Sequence, residues 1–308
     1  MNRRDALKRM ITATSTVVIL DAELRQWVDA SPTRKSLEPV VKERILTPAH
    51  EVLRLRLVKE YIDKGTTFNV FRSLKIQNRD GSWPNIDYGD TLSLPWKPLQ
   101  HLSWLREMAV AYHSSSHAAY HNPLVLQGIE RGLNFWYTRN PQAYNSWFEL
   151  IGKPLALGRI LFIMLKELNA DLAKAGSKHL YDVDNCPGPK GKLYPASTWK
   201  GANLVWVATQ TIYRGIINQD NTDIQKGLND VTKEIVITTE VEGIQPDFSF
   251  HQHNHQIYNG GYGLNYLTDV CKWAERLEQT EFAFKKDKIN ILTGLALVQS
   301  NCCAKNLT

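Results

Sequence analysis

Between Gly243 and Gly263 the chain reads Gly-Ile-Gln-Pro-Asp-Phe-Ser-Phe-His-Gln-His-Asn-His-Gln-Ile-Tyr-Asn-Gly-Gly-Tyr-Gly. His251, His253 and His255 alternate, and Tyr258 and Tyr262 follow closely. Imidazole and phenol exchange protons with a substrate, while glycines let the backbone bend tightly and approach a ligand. In an extended conformation the three imidazoles face one way, which is also how a metal site is built. No carboxylate or cysteine stands beside them at an obvious ligand spacing. Proton transfer by at least one histidine is the leading expectation, with satisfied structural histidines and a metal site as the alternatives.

Two other segments carry chemistry-bearing types. In Tyr144-Asn-Ser-Trp-Phe-Glu-Leu-Ile-Gly-Lys-Pro154 an asparagine stands among aromatics just ahead of a strong helical pattern. The Asn145 amide could donate hydrogen bonds to a substrate carboxylate, although asparagines in loops also form turns. In Asp80-Gly-Ser-Trp-Pro84, and at Trp96, flat indole faces are candidates for stacking on sugar rings or for the core; Trp104 lies in a helical stripe and reads as core. Glu149 and Asp247 keep open a paired-carboxylate hydrolase. Neither a G-x-S-x-G elbow, a P-loop nor an H-E-x-x-H helix is present.

Helices must position these segments. Apolar residues recur at helical spacing in Leu53, Leu57 and Tyr61; in Leu102 to Tyr112; in Val125, Ile129, Leu133 and Trp136; and in Leu157 to Leu168. The series continues with Leu204 to Ile212, Ile224 to Ile235 and Leu264 to Leu277. No strand series interrupts it, so the expectation is an all-α architecture of antiparallel helical hairpins. Loops at 76–98, 139–153, 182–200 and 237–262 are long and rich in Trp, Tyr, His, Asn and Gly, as binding loops are.

At 308 residues, 43% hydrophobic and 22% charged, the chain can bury a large core and reads as one domain over 26–308. Its 37 Lys+Arg against 31 Asp+Glu, net +6, favour an acidic partner. No nucleic-acid-reading motif is visible and the basic residues are scattered, which argues against nucleic acid and leaves an anionic membrane surface or another acidic polymer open. Residues 1–25, with Arg3-Arg4 ahead of a short apolar run from Met10 to Leu20, read as a twin-arginine-like export signal too short to span a bilayer. Export to the periplasm or outside the cell is the expectation. Cys186, Cys271, Cys302 and Cys303 show neither metal-ligand spacing nor a disulfide framework.

Together the three segments resemble the N-terminal helical domain of polysaccharide lyase family 8, the hyaluronate, chondroitin AC and xanthan lyases. Asn145-Ser-Trp-Phe-Glu-Leu-Ile-Gly-Lys-Pro154 is similar to the family's N-W-W-x-x-x-I-G-x-P. Asp247-Phe-Ser-Phe-His-Gln-His253 running into Tyr258-Asn-Gly-Gly-Tyr-Gly263, and Trp199-Lys-Gly-Ala-Asn203, match two further segments. The resemblance implies an incomplete α/α toroid and β-elimination of uronic-acid-containing polysaccharides without a metal. It implies Asn145, His253 and Tyr262 as the catalytic groups, converging at one mouth of a helical ring, with Trp83, Trp96, Trp147 and Asn203 binding substrate. Either His253 or Tyr262 is the base that takes the C5 proton. Ser146 stands where the family has a second Trp, and the family's catalytic arginine and β-sandwich domains would lie beyond Thr308. A binding module without turnover is the rival from another class.

Overall fold

The computed structural model describes residues 48–188, 192–239 and 241–304. Residues 1–25, read above as an export signal, lie outside them. Ten α-helices are present among the described residues: α1 (Ala49–Lys64), α2 (Val70–Ile76), α3 (Leu99–His113), α4 (Pro123–Arg139), α5 (Lys153–Ile163), α6 (Ala170–Ser177), α7 (Gly201–Asn218), α8 (Asn221–Glu234), α9 (Gly261–Leu277) and α10 (Lys286–Ala304). The mostly helical expectation holds. The described residues group into two compact units, one of 49–199 and 206–229, the other of 48, 200–205 and 230–304.

In the first unit α5 is the central helix and packs against α1, α3 and α6. Leu157, Ile160, Leu161, Phe162 and Ile163 are all buried, as a helix surrounded by others requires. The helix ends at Ile163, so Leu165 and Leu168, expected in its stripe, fall in the turns that follow. Asn122 opens α4 by accepting the Leu124 N–H at 2.9 Å, with Pro123 in the first position. Asn140, left-handed at φ 41, closes it.

The aromatic core of this unit surrounds His101, whose Nδ1 lies 2.9 Å from the Tyr88 hydroxyl and whose Nε2 lies 3.0 Å from the Gly132 carbonyl. Trp83 meets its ring edge-on at 4.7 Å and Trp136 stacks on it at 5.2 Å. Burial pushes the His101 pKa down from 6.5 to about 3, so the ring is neutral.

The second unit packs α9 against α10 and against a three-stranded antiparallel sheet in the order β1 (Gly243–Ile244), β2 (Phe250–Gln252) and β3 (Gln256–Ile257). Gly243 pairs with His251, and Gln252 with Gln256. These strands correct the strand-free expectation. At two or three residues each they are too short to show an alternating pattern. Among the described residues no helix is long and apolar enough to cross a membrane.

Candidate functional site

Each unit carries one constellation. In the unit of 200–205 and 230–304, the chain leaves β2 at Gln252, turns through His253 (φ 56) and Asn254 (φ 68), and returns along β3. Left-handed backbone is unfavourable for a histidine, so something must hold it. Glu242 does: its carboxylate accepts from Gln252 Nε2 on one side of His253 and from the Asn254 N–H at 2.9 Å on the other. The turn also overturns the shared histidine face. His251 stays in β2 near Ser249, while His253 and His255 both lie in the exposed turn between β2 and β3. Among the described residues no three of His, Cys, Asp and Glu gather in a way that could hold a metal.

The turn delivers His253 to two phenols. Its ring meets Tyr262 perpendicularly with centroids 4.8 Å apart, and Tyr258 at 5.8 Å; the two tyrosine rings lie 5.3 Å from each other. Tyr262 is the second residue of α9, and Gly263 lets that helix start close against the sheet. A Cβ at Gly263 would meet the Tyr258 carbonyl at 2.7 Å and the Phe250 side chain at 2.9 Å. Burial, then the Tyr258 phenol and the Glu242 carboxylate, raise the Tyr262 pKa above its ordinary 10. The Tyr262 phenol thus keeps its proton at neutral pH.

Beside the turn, the first turn of α7 is held by side chains. Gln252 Oε1 accepts the Ala202 N–H at 3.1 Å, and Glu234 accepts the Gly201 N–H. Gly201 is left-handed at φ 55, and a Cβ there would collide with Gln252. Asn203 follows in that turn, and its buried Oδ1 has no hydrogen-bond partner among the described residues. An acceptor left so is usually met by water or ligand.

The other unit carries Asn145. Its Oδ1 accepts the Trp147 N–H at 2.9 Å and the Phe148 N–H at 3.4 Å, capping the wide π-helical turn Phe148–Gly152 that runs into α5. With Oδ1 committed to the backbone, the exposed side chain has its Nδ2 donors left over, and these bond no described residue. Trp147, 36% exposed, lies edge-on to Phe148 at 5.2 Å and to Trp206 at 5.7 Å.

Trp83 and Trp96 require a correction. They are 1% and 2% exposed, and their indole N–H groups donate inward to Ser73 O at 3.0 Å and Asp90 O at 2.8 Å. Neither offers a face to a sugar; both are core. The carboxylate rival loses support too. Glu149 is tied to Lys153 and to the Ala143 N–H, and Asp247 accepts the Ser249 N–H at 2.9 Å to hold its own turn.

Tyr258, Glu242 and Gln252 escaped assignment from sequence. For Tyr258 a signal existed, a second tyrosine four residues ahead of Tyr262 across a Gly-Gly turn. Glu242 and Gln252 had none, because their roles depend on how the hairpin folds.

The chain is similar to chondroitinase-AC of Pedobacter heparinus, 27% identical over 222 residues, covering 72% of this chain and 31% of that protein. It is likewise similar to hyaluronate lyase of Thermasporomyces composti, 27% identical over 194 residues, covering 59% and 24%. The chain thus spans about a third or less of these relatives. A solved chondroitinase AC lyase, known with bound oligosaccharides, superimposes with a TM-score of 0.71 at 24% identity over 80% of this chain and 36% of the other, which speaks for a shared fold. Residues 55–298 match the polysaccharide lyase family 8 N-terminal alpha-helical domain, and to that family the chain belongs.

Proposed function

We propose that this chain carries the proton-transfer centre of a lyase that cleaves uronic-acid-containing acidic polysaccharides by β-elimination. The observation that carries the reading is the perpendicular pairing of His253 with Tyr262 on a turn held from both sides by Glu242. Elimination across C4–C5 of a uronate removes a proton beside a carboxylate and returns one to the departing glycosidic oxygen. A base and an acid close together suit that demand. The raised pKa of Tyr262 favours the phenol as the acid, which leaves the imidazole of His253 as the base.

A carboxylate resists a second negative charge building next to it, so an enolate-like transition state needs donors on that group. The unengaged Nδ2 donors of Asn145 suit that task, and Trp147 and Asn203 remain candidates for holding the polymer. The relatives' names, chondroitinase and hyaluronate lyase, make glycosaminoglycans the first substrates to try.

The test is to incubate the purified chain with hyaluronan, chondroitin sulfate and xanthan while following ultraviolet absorbance. Elimination creates a conjugated unsaturated uronate and a rising signal. Binding without absorbance change would support the non-catalytic module instead, and new reducing ends without absorbance would support a hydrolase.

A further inference from the structure

One buried cation ties together the loop that bears Asn145. Lys153, the first residue of α5, is 4% exposed. Its Nζ donates to the Pro141 carbonyl at 3.2 Å and to Glu149 Oε1. The other carboxylate oxygen of Glu149 accepts the Ala143 N–H at 2.9 Å. Positions 141 and 143 before Asn145, and 149 after it, are therefore joined through a single ion pair. The π-helical turn Phe148–Gly152 leads from the carboxylate directly to the ammonium, and Glu149 N–H closes back on the Asn145 carbonyl at 3.1 Å. Tyr144, next to Asn145, is pinned from outside by its N–H to Thr91 O at 2.8 Å.

A buried ion pair is a poor way to stabilise a fold, because desolvating both charges offsets most of their attraction, and an apolar pair of similar volume does as well. What an apolar pair cannot do is bond a backbone carbonyl with one partner and a backbone N–H with the other. We propose that the Lys153–Glu149 pair is a positioning clamp for Asn145, fixing the loop so that the side-chain amide keeps its Nδ2 donors turned away from the backbone. The proposal rests on the reading of Asn145 as the donor to the uronate carboxylate. Burial draws the Lys153 pKa down and the Glu149 carboxylate opposes that shift in part.

Two readouts test it on the full chain. The first is amide hydrogen exchange by NMR in wild type, Lys153→Met and Glu149→Gln. Lys153→Met should speed exchange at Ala143 and Trp147 about tenfold, the worth of a lost hydrogen bond, with Leu105 and Met108 of α3 unchanged. Should Lys153→Met fail to fold, Glu149→Gln decides. Its single amide oxygen cannot accept from both Lys153 Nζ and the Ala143 N–H as the two carboxylate oxygens do, and local acceleration in the 141–149 loop is again required. The second is a double-mutant cycle on hyaluronan turnover. Lys153→Met should lower kcat about 10²-fold with KM nearly constant, as misplacing a reacting group does, and should cost nothing further in an Asn145→Ala background. Unchanged exchange at Ala143 and Trp147 overturns the clamp whatever the turnover, and so do additive losses in the cycle. Local acceleration in a chain whose wild type neither binds nor turns over hyaluronan would retain the clamp while removing the assigned task of Asn145.

Discussion

The imidazole of His253 and the phenol ring of Tyr262 stand at 90° with centroids 4.8 Å apart, although one belongs to a hairpin turn and the other to the first turn of a helix. This contact needs two unusual backbone features, a left-handed histidine and a glycine at 263 that lets α9 close on the sheet. Both lie in the polar segment that holds the other candidate histidines.

Replacing Tyr262 by Phe keeps the ring contact and deletes only the hydroxyl. Turnover of hyaluronan or chondroitin sulfate should fall roughly 10²–10⁴-fold, the worth of a placed acid or base, while calorimetric affinity for an oligosaccharide stays nearly constant. A Tyr262→Phe variant as active as wild type removes the phenol from the reaction.

The pH profile follows from the same group. Burial, Tyr258 and Glu242 hold the Tyr262 proton above the ordinary phenol range, so the alkaline limb of kcat/KM is expected above that range. In Glu242→Gln one negative charge beside the phenol is gone, and the alkaline limb of kcat/KM should move to lower pH. A limb that stays in place or moves up contradicts the assignment.

His101 should make stability sensitive to acid. Unfolded, it takes up a proton near 6.5, whereas folded it does so only at about 3. Its contribution is complete above pH 6.5 and is lost as pH falls toward 3, on the order of 4–5 kcal/mol across that window. Denaturant midpoints measured between pH 7 and pH 4 should fall steadily. In His101→Gln the starting stability is lower but the slope is shallower by about one proton.

Buried and exposed tryptophans should behave oppositely. Trp83→Ala should cost about 3–5 kcal/mol of stability, the usual loss for a large aromatic removed from a core, and leave oligosaccharide affinity unchanged where the protein remains folded. Trp147→Ala, at a part-exposed edge beside Asn145, should weaken oligosaccharide binding with little loss of stability. Comparing thermal unfolding with titration calorimetry separates the two.

Much of the helical framework was legible in the chain itself. The stripes at Val125, Ile129, Leu133 and Trp136, and the Asn122-Pro123 start, describe α4 as found, because a helix that buries one face must repeat its apolar residues every three to four positions. The loops that hold Asn145, His253 and Tyr262 were conspicuous between apolar stripes, but the three residues themselves were singled out only by the resemblance of their segments to the family's motifs. Helices α2 and α6 are only seven and eight residues long and display too few turns to reveal a period. Tertiary structure alone decided the rest. An indole at Trp83 or Trp96 has the same composition whether it faces a sugar or a core, and only the packing of distant helices around it settles which. Nor can spacing show that Glu242 grips both sides of His253, or that Lys153 reaches back to Pro141, because hydrogen bonds between residues far apart in sequence exist only once the chain has folded.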